Sequence, residues 1–166
     1  MEITVGTDTY ISLEDANIYI ENSYMATESQ SVAWGGISDD DRMILLKRAA
    51  QTIDRQPLIG LRATSTQVME FPRATYTDGG YNNDSLRWGD DYYTQTAVPT
   101  AVKYAQVELA LSLLSGVSNR VDLQRQGVKS FSLGKLSESY SGKTNALPYT
   151  VRDMMSQYLL GGAPIC

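Results

Sequence analysis

The sequence predicts a mainly α protein: a small four-helix bundle with a β-hairpin between helices 3 and 4 and a long polar loop between helices 2 and 3. Three observations predict it. Pro99–Ser115, reading PTAVKYAQVELALSLLS, is apolar nearly all round. Two earlier stretches, opening at Ser12 and Ser38, carry apolar stripes at helical spacing. Residues 128–142 alternate with period two around Gly134-Lys135.

In chain order, residues 1–11 alternate weakly through Ile3, Val5, Tyr10 and Ile11, which predicts a short strand. Ser12 can cap the first helix, with Asp15 three residues on. Leu13, Ala16, Ile20 and Tyr24 form its stripe, and it should end near Ser23. Residues 25–37 are small and polar and read as a loop anchored by Trp34. Ser38 caps the second helix, and Asp39, Asp40 and Asp41 suit its first turn, where the macrodipole favours negative charge. Met43, Leu46, Ala49, Ala50 and Ile53 should be buried, with Lys47, Arg48, Gln51, Asp54 and Arg55 facing out and Pro57 setting the end.

Residues 58–76 lack a clean period; Leu58, Leu61, Met69 and Phe71 are expected to plug the end of the helical core. Residues 76–97 read as a long loop rich in Asp, Tyr, Gly and Asn. The third helix, Pro99–Ser115, must be surrounded by the others, because a helix apolar nearly all round has no face to give to solvent. In the hairpin at 128–142 both faces are Ser-rich, so it buries little by itself and has edges suited to pairing with another chain. Pro148 opens a last helix with Val151, Met154, Met155, Tyr158 and Leu159 on one side, ended by Gly161-Gly162. Either this helix docks on its own domain or it is an assembly element, with 161–166 as a short apolar tail. No repeat or second domain is evident, so residues 1–166 read as one unit.

Composition narrows the function. Of 166 residues, 42% are hydrophobic and 20% charged, which suits a globular chain. A net charge of −5 argues against a general DNA-binding surface, which needs clustered Lys and Arg. No apolar run reaches membrane length and the opening residues lack a signal-peptide pattern, so no membrane partner is expected. The 11 tyrosines against two phenylalanines suit interfaces, or half-exposed loop and strand positions.

Catalytic signals are weak. There is no histidine, which removes the commonest general base and metal ligand. Cys166 is the only cysteine, so neither an intrachain disulfide nor a Cys-based zinc site can form. Gly142-Lys143-Thr144 looks like the end of a phosphate-binding loop, but Ser137 stands where that motif needs glycine. Asp39–Asp41 reads as a helix start. The run from Asp78 to Asp84 is a better cation candidate but lacks calcium-loop spacing. The expectation is a binding or structural protein with no cofactor and no enzyme activity.

Several stretches together resemble a known family. They are Thr9–Ala16, Trp34, Leu46–Asp54, Gly60 with Thr66–Arg73, Val98-Pro99 with Val102–Ala105 and Glu108–Ala110, Phe131–Tyr140, and the terminal helix. In this order they resemble the head–tail connector (adaptor, or head-completion) proteins of tailed bacteriophages, a family also labelled DnaT-like single-stranded-DNA-binding. The 76–97 loop departs from that pattern in length and in its Tyr and Asp content.

The resemblance implies a structural virion protein at the head–tail interface, assembled in the host cytoplasm. It would form a homo-oligomeric, dodecameric ring that binds the portal protein, extends the DNA channel and docks the stopper or tail-completion protein. Packaged double-stranded DNA would pass through without specific binding. On that reading Tyr158, Leu159, Leu160 and Ile165 are candidates for portal contact. Phe131, Leu133, Leu136 and Tyr140 are candidates for the contact between subunits, and Tyr81, Trp88, Tyr92 and Tyr93 for a partner-binding loop. The alternative is a single-stranded-DNA-binding replication accessory protein. Arg73, Tyr76, Tyr81, Arg87, Trp88, Tyr92 and Tyr93 give the mix of aromatics and cations this needs, but Asp78, Asp84, Asp90 and Asp91 offset their charge.

Overall fold

A computed structural model describes residues 2–76, 92–115, 130–133, 136–139 and 147–160. The chain is mainly helical. Helix α1 spans Leu13–Ser23 and α3 spans Asp39–Asp54, and each starts where a serine hydroxyl accepts a first-turn amide. Asp15 N–H donates to Ser12 Oγ at 3.0 Å and Asp41 N–H to Ser38 Oγ at 3.2 Å. Helix α4, Thr100–Leu114, follows Pro99 and buries Val102, Ala105, Val107, Leu109, Ala110 and Leu111. It is the centre of the molecule, with α1, α3 and the C-terminal helix α5 (Tyr149–Met154) packed round it. Ala49 and Ala50 of α3 are fully buried, and their small side chains let the two helix backbones approach closely.

The expected four helices become five among the described residues. The extra one is α2, Ser29–Gly35, inside the stretch expected to be a loop. It is too short to show a period, and a single side chain, Trp34, holds it down. Trp34 is buried, donates from Nε1 to Asn17 Oδ1 at 2.8 Å and carries the Arg42 guanidinium over its ring. The expected N-terminal strand is instead a tight turn closed by a single bridge between Val5 and Thr9, with Gly6 at φ 85°. Tyr10 and Ile11 then enter the core.

Residues 58–76 do plug the core end through Leu58, Met69 and Phe71, but Leu61 is 66% exposed. Leu61 sits on an edge strand. A three-stranded antiparallel sheet forms from β1 (Leu61–Arg62), β2 (Arg73–Tyr76) and β3 (Tyr92–Thr94), in that order. Strands β2 and β3 thus trim the expected 76–97 loop, and the remainder, 77–91, lies outside the described residues. The expected pairing is present: β4 (Ser130–Leu133) runs antiparallel to β5 (Leu136–Ser139), Leu133 opposite Leu136, and residues 134–135 between them lie outside the described residues. The last helix is shorter than expected. After Met154 the chain tightens into a 3₁₀ turn at Ser156–Tyr158, and Leu159 forms a bridge with Leu58.

Candidate functional site

Buried polar side chains fix how the elements meet. Gln106 lies on the most enclosed face of α4, with no solvent exposure. Its Oε1 accepts Tyr10 N–H at 2.9 Å, and its Nε2 donates to Thr9 Oγ1 at 2.6 Å and to Leu46 O at 2.9 Å. One side chain therefore ties the N-terminal segment, α3 and α4 together. Its bonds are all internal, which marks it as architectural.

A second network closes the far end of α3. Asp54, expected to face out, is half-buried because the Tyr10 hydroxyl donates to Oδ1. Burial raises the Asp54 carboxyl above its ordinary value, against the pull of that hydrogen bond. Nearby, Glu70 accepts from Arg62 Nη2 at 2.7 Å and from Arg73. Burial works to raise Glu70, and the two guanidinium groups outweigh it and hold the carboxyl below its ordinary value. Arg73 is 4% exposed and also donates to Ile59 O at 2.8 Å and Gly60 O at 2.6 Å. Gly60 has φ 80°, a backbone state that favours glycine and here aims its carbonyl at the guanidinium. Arg73 is thus withdrawn from the basic–aromatic set that would contact nucleic acid.

A groove of about 390 Å³ lies between α1 and the first turns of α4. Ile18 and Tyr19 line one wall; Thr100, Lys103 and Tyr104 line the other, with Asp15 also contributing. Tyr19 and Tyr104 stack at 4.4 Å between ring centroids. A half-buried carboxylate sets this pair: Glu108 accepts from Tyr19 OH at 2.8 Å and from Tyr24 OH at 2.8 and 2.7 Å. Burial, then the Glu108 carboxylate, push the Tyr19 hydroxyl up to about 12, so it remains a donor at any ordinary pH. On the rim Ile18 is 48% and Tyr104 39% exposed. Lys103 forms no ion pair among the described residues. Groups able to take a side chain and a charge therefore converge here on a rigid base. No short-range sequence signal marks this groove, since its walls come from residues far apart in the chain.

The sequence-derived candidates fall in several places. Tyr158 and Leu159 belong to the chain's own core: Leu159 is 8% exposed, and Tyr158 stacks edge-on against Phe71 at 5.3 Å. Leu160 beside them is 62% exposed. Phe131, Leu133 and Leu136 lie on the β4–β5 ribbon, with Phe131 opposite Glu138. Tyr92 and Tyr93 lie on β3, paired with Tyr76 and Thr75. Tyr81, Arg87, Trp88, Tyr140 and Ile165 lie outside the described residues, as does the Asp78–Asp84 cation candidate. No group of three or more acidic or thiol side chains among the described residues is placed to hold a metal. No helix among them is long and apolar enough to cross a membrane.

Compared with known proteins, residues 2–164 match the family model described as "Putative DnaT-like ssDNA binding protein". No curated protein matches the chain, and neither does any solved structure.

Proposed function

The chain belongs to the DnaT-like ssDNA binding protein family, and within it we propose a structural adaptor: a ring-forming subunit, not an enzyme, seated at a bacteriophage head–tail junction. The ring binds the portal, continues the DNA channel and presents a surface to the stopper or tail. The observation that carries this reading is the β4–β5 ribbon. Its two strands pair antiparallel with each other in a sheet of two. A two-stranded ribbon is marginal alone in water, so this element suits a part completed by association. Phe131, Leu133, Leu136 and Tyr140 are its proposed contacts between subunits. Exposed Leu160, with Ile165 beyond it, is the proposed portal contact that the core leaves free.

Charge supports the same reading. Arg42, Lys47, Arg62 and Arg73 are each spent on a carboxylate of the same chain. An acidic channel wall would let packaged DNA slide, because screened repulsion acts only at short range.

The family description favours a second reading, binding of single-stranded DNA. Two places among the described residues set an exposed aromatic beside an unpaired cation: Tyr104 with Lys103, and Tyr149 with Arg152. Two experiments separate the readings. Negative-stain imaging with portal pull-down should show rings and capture; a monomer that ignores portal sinks the adaptor. A gel shift of oligo(dT) at low salt should show no retarded complex, and salt-sensitive retardation would favour the second reading.

A further inference from the structure

We propose that the α1–α4 groove is a self-complementary contact, covered by the same groove of a second copy related by a two-fold axis. The inference goes beyond the ring reading. A two-fold contact closes at two partners, so it joins two subunits, or two whole rings, face to face.

The groove has the anatomy of an interface centre. Ile18 on α1 and Tyr104 on α4 are both exposed, which leaves an open apolar middle. Tyr104 stacks on Tyr19, and Tyr19 is fixed in turn by its hydrogen bond to Glu108. An aromatic face already held in place loses little conformational freedom when a partner covers it. Two opposite charges flank this middle. Asp15 lies on α1, one turn from Ile18, and Lys103 lies on α4, next to Tyr104. Both line the same groove, yet neither is engaged in an ion pair among the described residues.

These charges select the occupant. An acidic partner is drawn to Lys103 and repelled by Asp15, and a basic partner meets the reverse. Like charges brought together at a contact cost affinity. A surface with one charge of each sign, flanking an apolar pair at the same spacing, satisfies both. The same groove on a second copy has that pattern by construction. Under a two-fold axis, α1 of each copy lies over α4 of the other. Lys103 then meets Asp15 of the second copy and Asp15 meets its Lys103, while each Ile18 covers the opposite Tyr104. Lys103 stands in the first turn of α4, which has no side-chain cap, so the helix dipole adds to its attraction for the incoming carboxylate.

Sedimentation velocity of the full chain tests this by charge reversal. Asp15→Lys and Lys103→Asp each set like charges across the contact. Each should halve the mass of the largest species, whether that species is a dimer or a pair of rings. An equimolar mixture of the two variants should recover the wild-type mass. One chain then carries two cations and the other two carboxylates, so both cross-contacts become attractive. Circular dichroism should show the cooperative melt kept in each variant, since both substitutions lie at the surface. Either single variant at wild-type mass overturns the contact, as does a mixture that stays at half mass. Rings whose mass neither variant changes overturn it and leave the ring reading intact. Wild type that sediments as a monomer at every concentration overturns it as well. A second readout needs no charge reversal and uses chains carrying Cys166→Ser. Under mild oxidation an Ile18→Cys chain should link to a Tyr104→Cys chain, and the absence of any link between them overturns the two-fold arrangement.

Discussion

At the scale of single residues, this protein is organised by polar groups inside it. Gln106 is a polar residue with no exposure, and the sequence gives no hint of it: on a helix apolar nearly all round, one amide reads as a gap in the stripe. Three saturated hydrogen bonds make it the joint between segments distant in sequence. Asp54 is the same lesson with a charge. Polarity and helical spacing placed it on the solvent side, but the Tyr10 hydroxyl reaches it from 44 residues away and draws it inward.

A pH dependence follows from Asp54. Its carboxyl is raised in the folded chain, mainly by burial, from an ordinary 3.8. The folded state therefore holds a proton more readily than the unfolded one. Stability from this group rises as pH falls through the folded value, and near neutrality the charge is a cost. Glu70 has the opposite sign, its contribution being present above its ordinary 4.5 and lost as pH falls through its lowered folded value. Asp54→Asn keeps an acceptor for Tyr10 without the charge and leaves Glu70 unchanged. The variant should be more stable than wild type at pH 7, with the difference shrinking as pH falls toward 3.8. Urea denaturation of both proteins across this range measures it, and a difference independent of pH would sink the assignment.

At the scale of elements, much was legible where local chemistry and period agree. Ser12 and Ser38 open helices as their hydroxyls suggest, the Pro99–Ser115 stretch becomes the core helix, and β4 pairs antiparallel with β5, Leu133 opposite Leu136. The failures share a cause. Helix α2 has seven residues and one buried side chain, and β1 has two residues, so neither is long enough to display a period. They exist because distant partners hold them: Asn17 and Arg42 at Trp34, and β2 at Leu61 and Arg62. The C-terminal helix stops early for the same reason, since Leu159 pairs with Leu58 and Leu160 N–H donates to Pro57 O at 2.8 Å.

That last arrangement predicts a sharp boundary between two truncations. Ending the chain at Leu160 keeps Tyr158 on Phe71 and Leu159 on Leu58, so the melting temperature should stay within a degree or two of wild type. Ending it at Met155 removes buried Leu159 and half-buried Tyr158, at a cost of about 3–5 kcal/mol. For a chain of this size that corresponds to roughly 6–20 °C. Thermal melts by circular dichroism distinguish the two; equal losses would place the last six residues in the core after all. Weaker portal capture by the Leu160 truncation would locate the latch in the tail.

At the scale of the whole molecule, the fold divides into a part that is finished and parts that are not. The helices round α4, with the three-stranded sheet at one end, satisfy their own buried groups: among the described residues, every buried side-chain polar atom has a partner. The β4–β5 ribbon forms a separate two-stranded sheet. Phe131, Leu133 and Leu136 alternate with serines along it. A change there should therefore separate folding from assembly. Replacing residues 128–142 by a Gly/Ser linker of equal length should leave the cooperative melt of the helical core in place. Lengthening or softening a loop costs only a few tenths of a kcal/mol when its ends stay fixed. The same variant should lose ring formation in negative stain and by mass photometry. Restoring Phe131, Leu133 and Leu136 with the native turn, while leaving the flanking residues as linker, should recover part of it. A core that melts early in the linker variant would show that the ribbon supports the subunit itself. Rings that form unchanged would place the contact between subunits outside the ribbon.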